Sequence, residues 1–150
     1  MRAAAPWVRR RDPALRVLVA DRHPHVRDAL RLDLEDAGFD VCAEAGDADE
    51  AVDAARREQP DLCLLDGAVP GGAADAVARL GAEAPSSRVV VLAVSRDEDD
   101  LVAAFRAGAA GYLPKEVTAR RLGRALAAVA DGGTLLPRTL AARVHCDRGR

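Results

Sequence analysis

Two hydrophobic periods alternate along the chain. Short apolar runs at residues 16–20, 62–65 and 88–93 are apolar at nearly every position. Such runs are expected of strands covered on both faces of a parallel sheet. Between them, apolar residues recur at helical spacing. Val26, Ala29, Leu30, Leu34 and Ala37 form one such stripe, Ala51, Val52 and Ala55 a second, and Leu122, Ala125, Leu126 and Val129 a third. Shorter strands are predicted at 39–43 and 110–114, and further helices at 73–80 and 97–107. The pattern is βα five times over with short connections, which predicts an α/β fold with a five-stranded parallel doubly wound sheet.

Local signals place the boundaries. Pro24 suits the first turn of a helix and Gly38 its end. Asp47 caps the next helix, with Glu50 three residues on as its capping-box partner. Thr118 caps the last, and Asp131-Gly132-Gly133 stops it. The folded domain is read as residues 15–133. Residues 1–14 are a disordered lead-in, and residues 134–150 a polar, Arg-rich linker or tail.

Composition narrows the function. At 150 residues the chain is one domain with room for a good core, and 3% aromatic content makes that core aliphatic. A net charge of -2 argues against nucleic-acid binding by the chain as a whole. No apolar run approaches membrane-spanning length, and the four arginines of residues 1–12 precede no signal-like apolar stretch. Cys42, Cys63 and Cys146 form no CxxC pair, and the two in strands read as small buried hydrophobes. These features predict a cytoplasmic protein without membrane contact.

The candidate chemistry lies at one sheet edge. In such a sheet the loops after the strands gather there. Asp21 after the first strand, Asp66 after the third and Lys115 after the fifth are expected to meet. Two acids and an ammonium make an anion-handling site, with Asp66 able to accept a phosphoryl group as an acyl phosphate. Lys115 is the single lysine of the chain, as expected where a compact point charge is needed rather than a planar fork.

Three ordered stretches carry a family resemblance: Arg16-Val-Leu-Val-Ala-Asp-Arg-His-Pro-His-Val-Arg, Leu65-Asp-Gly-Ala-Val-Pro-Gly and Ala107-Gly-Ala-Ala-Gly-Tyr-Leu-Pro-Lys115. The chain resembles receiver domains of two-component response regulators, nearest the NarL/LuxR type, over about residues 15 to 133. The resemblance implies a flavodoxin-like, CheY-like (βα)5 fold and a signalling role rather than an enzymatic one. By resemblance Asp66 matches the phosphoacceptor, Asp21 the first acid of the acidic pair, Lys115 the lysine on the phosphoryl group and Tyr112 the switch aromatic. It also implies Mg²⁺ held by Asp21 and Asp66, a cognate histidine kinase, a homodimer with the last helix as a candidate face, and output through the surface formed by the helix from Asp97, the strand at Tyr112 and the helix from Thr118, or by that last helix alone. DNA would be reached only through a helix-turn-helix domain, for which residues 133–150 are too few.

Two positions depart from the family pattern. Arg22 stands where a second, Mg²⁺-binding acid is usual, and a guanidinium cannot ligate a hard cation. Ala93 replaces the Ser or Thr at the end of the fourth strand, and Ser95 is the nearest substitute hydroxyl. Arg22 is expected either to pair with Asp66 or Asp21 or to point to solvent. The departures predict impaired Mg²⁺-dependent phosphorylation at Asp66. The alternative is a phosphorylation-independent pseudo-receiver of a transcription regulator, set by a ligand or by dimerisation.

Other features have plainer readings. His23 and His25 flank Pro24 at a helix start, His145 and Cys146 lack further ligands, and Gly71-Gly72 lacks the rest of a phosphate loop. The acidic run 97–100 suits a helix N-terminus. An aspartyl-nucleophile phosphohydrolase would need a second acid two residues after Asp66, where Ala68 stands.

Overall fold

The computed structural model of the chain describes residues 13–94 and 97–148, with Thr139 and 145–148 described by backbone alone. The lead-in to residue 12, the hydroxyl of Ser95, and the side chains of His145 and Cys146 therefore lie outside the described residues. The elements run β1 (Arg16–Ala20), α1 (Pro24–Asp36), β2 (Asp40–Ala45), α2 (Ala48–Glu58), β3 (Leu62–Asp66) and α3 (Ala73–Glu83). They continue with β4 (Arg88–Ala93), α4 (Glu98–Ala107), β5 (Gly111–Pro114), α5 (Ala119–Ala130) and α6 (Arg138–Arg148). All strand pairs are parallel, and the sheet order is β2-β1-β3-β4-β5. The strand order reverses between β1 and β3, which opens a crevice at their C-terminal ends.

Successive strand residues face opposite layers, as the two-residue period requires. Val17, Val19, Leu62, Leu64, Val90 and Leu92 pack with Leu34 of α1 and Leu122, Leu126 and Val129 of α5. Leu18, Ala20, Cys63, Leu65, Val89 and Val91 pack on the other face with α2, α3 and α4. Alanines dominate that second layer (Ala48, Ala51, Ala54, Ala55 and Ala76 are all buried), which lets helices approach the sheet closely.

The capping signals act as expected, with one variation. Asp47 Oδ1 accepts from the Glu50 amide at 2.8 Å, but Glu50 Oε2 reaches back to the Gly46 amide at 2.7 Å. Thr118 Oγ1 accepts from Arg121 N at 3.2 Å. Strand β2 runs two residues beyond the predicted 39–43. Glu44 can stay within it because Arg31 donates to its carboxylate at 2.6 and 2.9 Å, and Arg27 lies 3.4 Å away.

The segment after Gly133, read above as a linker or tail, carries ordered structure. Leu135 pairs with the outer edge of β5, donating to Ala110 O and accepting from Tyr112 N, both at 3.0 Å. Helix α6 then lies on α4, with Leu140 and Val144 buried in the same cluster as Leu101, Val102 and Phe105. Among the described side chains of α6, Leu140 and Val144 are the buried apolar ones, one turn apart, so the sequence shows little periodicity there.

Candidate functional site

Each site residue is delivered by the end of a strand. β1 carries Asp21 to the crevice, where its amide donates to Ala45 O at 3.0 Å. β3 ends on Asp66. The following turn is pinned by Gly67 N donating to Leu92 O at 2.7 Å and by Val69 N donating to Asp66 O at 3.0 Å. Gly67 is required by close approach, since a Cβ there would stand 2.9 Å from Ala93 Cβ. Lys115 follows β5, and its amide donates to Ala93 O at 3.2 Å.

The three side chains meet. Lys115 Nζ lies 2.8 Å from Asp21 Oδ2 and 3.0 Å from Asp66 Oδ1. Asp21 is 1% exposed and Asp66 5%, and they are the buried acids among the described residues. Backbone amides complete the arrangement. His23 N donates to Asp21 Oδ1 at 2.8 Å and Ala68 N to Asp66 Oδ1 at 3.1 Å. Arg27 Nη1 donates to the carbonyl of Asp21 at 2.5 Å, tying α1 to the same loop. These amides and Arg27 were not singled out in the sequence. Backbone donors carry no residue-type signal, and Arg27 reads there as one more exposed helix arginine.

The electrostatics follow from the contacts. Burial opposes the charge on Asp21, but the hydrogen bonds from Lys115 and the His23 amide outweigh it and hold the carboxyl below its ordinary range. Burial likewise opposes the Lys115 ammonium, and the hydrogen bonds to Asp21 and Asp66 outweigh it and raise its pKa.

Arg22 is exposed and forms no hydrogen bond or ion pair with Asp21 or Asp66. The pairing alternative is overturned. Lys115 already takes both carboxylates, so Arg22 is left at the rim. Ala93 is buried beside Gly67 and offers a methyl group where a hydroxyl would meet the pocket. Tyr112 is half-buried against the layer that holds α4. Over Asp66 and Lys115 opens a cavity of ≈ 480 Å³, bordered also by Arg22, Ala93, Asp100 and Leu101.

The donor set fits Mg²⁺ poorly. That ion wants an octahedron of oxygens. The pocket supplies two carboxylates already bridged by an ammonium, with a guanidinium at the rim where a third oxygen ligand would be wanted. No group of three or more potential ligands gathers among the described residues. His23 and His25, on either side of Pro24 at the start of α1, stack at a ring distance of 5.7 Å. Among the described residues no helix is long and apolar enough to cross a membrane.

A doubly wound sheet with two buried acids and a lysine at its switch point defines a receiver-type signalling module. The chain belongs to the response regulator receiver domain family, whose model matches residues 17–127. It is 34% identical over 131 residues to the nitrate/nitrite response regulator protein NarL of Escherichia coli, covering 86% of this chain and 60% of that protein. It is 37% identical over 118 residues to NarP of the same organism, covering 77% of this chain and 55% of that protein. The chain thus spans about three fifths of the length of the curated relatives it matches. Among solved structures it is similar to a LuxR-family two-component response regulator from Aurantimonas. There the TM-score is 0.76 and identity 29%, covering 91% of this chain and 99% of that one. The signal receiver domain of NarL from Mycobacterium tuberculosis superposes with TM-score 0.75 at 29% identity, covering 79% and 98%. The fold is the CheY-like receiver fold, and the chain is a NarL/LuxR-type receiver, a signalling domain rather than an enzyme.

Proposed function

We propose that this receiver is an atypical one, in which Asp66 is the phosphoacceptor position of a pocket disarmed for Mg²⁺-assisted transfer. The observation that carries this reading is the bridge from Lys115 to both Asp21 and Asp66, with Arg22 and Ala93 contributing neither acid nor hydroxyl. Phosphorylation would form a bond between a carboxylate oxygen of Asp66 and phosphorus, with the donor's leaving group departing. Lys115 would steady the phosphoryl oxygens, but Mg²⁺ would find no second acid at Arg22. In this reading a histidine kinase is the natural donor and DNA is reached through a segment outside this chain. The exposed face of α5 serves a homodimer.

Acetyl phosphate with Mg²⁺, read by intact mass against Asp66→Ala, tests this. The wild-type chain is expected to accumulate little adduct, and Arg22→Asp with Ala93→Thr to accumulate more. Fast, complete labelling of the wild-type chain at Asp66, unchanged in the double variant, would overturn the reading.

A further inference from the structure

We infer that α6 is a releasable strap on α4, and that its docking is coupled to the charge state of the Asp66 pocket. The inference rests on that pocket being where the receiver's state is set, but not on how the state is set.

Helix α4 faces two ways. From its first turn Glu98 and Asp99 reach out to α6, where Arg143 Nη1 meets Glu98 Oε2 at 3.3 Å and Nη2 meets Asp99 Oδ1 at 2.8 Å. The next residues, Asp100 and Leu101, and Ala104 one turn on, border the cavity that contains Asp66 and Lys115. Leu101 also shares a buried cluster with Leu140 and Val144 of α6. The principal neighbours of α4 are α3 on one side and α6 on the other, so a helix that roofs a cavity is held from outside by α6. A change in the cavity that moves α4 therefore moves the seat of α6.

The strap is fixed at one end and weakly held at the other. Its root is the Leu135 pairing with β5, reinforced by Arg88 Nη2 on Gly133 O at 3.1 Å. Gly111 admits this root, because a Cβ at Gly111 would stand 2.8 Å from Leu135 Cβ. The far end is held by two buried aliphatic side chains and by ion pairs whose members are largely exposed, and exposed pairs hold little. Such an element can detach while the domain beneath it stays folded. It also covers the α4 side of the α4-β5-α5 surface, so a partner approaching that side would have to displace it.

Hydrogen exchange of the full chain, read by mass, tests the coupling in wild type, Arg143→Glu, Val144→Asp and Asp66→Asn, with Arg143→Lys as the conservative control. Arg143→Glu changes an exposed residue and preserves the fold, while Val144→Asp puts a carboxylate where α6 is buried. Both are expected to speed exchange in α6 and also in α4, and Asp66→Asn to alter exchange across α6 by about fivefold or more, the lower end of usual coupling strengths. Arg143→Lys is expected to match wild type. Faster exchange in α6 with α4 unchanged in both strap variants would overturn the inference, as would an α6 insensitive to Asp66→Asn. Asp66→Asn changes the pocket charge without phosphoryl transfer, so the acetyl phosphate result stands or falls separately.

Discussion

Asp21 and Lys115 lie 94 residues apart in the chain and are joined by a 2.8 Å hydrogen bond at the C-terminal edge of the sheet. The bond is what makes two nearly buried carboxylates tolerable. Like charges this close disfavour each other's ionisation unless a cation stands between them, and Lys115 stands within 3.0 Å of both. The same arrangement occupies the positive-charge capacity of the pocket before any ligand arrives.

Lys115→Met removes that cation and leaves Asp21 and Asp66 facing each other. The expected cost at neutral pH is about 1.5–3 kcal/mol, the range for hydrogen bonds to charged groups. Because the deficit comes from carboxylate repulsion, acidification should shrink it as one acid takes up a proton. Denaturant unfolding of wild type and variant at pH 7 and pH 4 checks both points. A deficit that grows on acidification would contradict them.

The pH range over which the bridge stabilises the fold follows from the two shifts. Asp21 is held below its ordinary value, so its share is present in full above the unfolded value of about 3.9 and is lost as pH falls through the folded value. Lys115 is raised, so its share is present in full below about 10.4 and is lost as pH rises through the folded value. In Asp21→Asn both contributions of that bond vanish. The difference in stability between wild type and Asp21→Asn is thus expected to be flat between about pH 5 and 9 and to narrow outside that window. Urea titrations across pH measure it.

Most of the fold was legible because buried strands here are apolar runs with no competing reading and the helices carry capping residues. The edges of that legibility have physical causes. Strand β2 reads as ending at Ala43 because an acid follows, and the arginines that stabilise Glu44 come from α1, out of reach of any local pattern. Helix α6 is missed because Leu140 and Val144 are its only deeply buried side chains among those described. At the site, strand-end position alone predicts that Asp21, Asp66 and Lys115 converge. Which cation takes the carboxylates does not follow from position. Lys115 reaches both from the β5 loop, and Arg22, adjacent in sequence to Asp21, is exposed at the rim and bonds neither.

Burial pushes the Cys63 thiol up to about 12, so at neutral pH it holds almost no thiolate. Cys42 is half-buried, and burial raises it as well, with its thiol donating to Val17 O at 3.6 Å. Thiolate is the reactive form. Cys63 is therefore expected to resist alkylation in the native chain and to react at the rate of global unfolding, with Cys42 reacting ahead of it. Peptide mapping after timed iodoacetamide treatment separates the two. Rapid native labelling of Cys63 would be inconsistent with its place in the core.

Gly67 and Ala93 approach each other closely beside Asp66. A methyl group added at Gly67 would meet Ala93 Cβ at 2.9 Å and Val91 Cγ1 and the Leu92 carbonyl at 3.4 Å. Neither a Cβ nor a strand carbonyl can swing aside, so the turn after β3 must move instead. Overpacking of this kind costs about 1–3 kcal/mol, and the displaced turn would carry the Ala68 amide away from Asp66 Oδ1. Gly67→Ala is therefore expected to lower the unfolding midpoint and weaken whatever the pocket does. Ala93→Gly removes the nearest obstruction. In a double-mutant cycle the pair is expected to recover part of the loss, giving an interaction term between the sites. Strict additivity would mean that the clash is relieved elsewhere, through β4 as a whole rather than at Ala93.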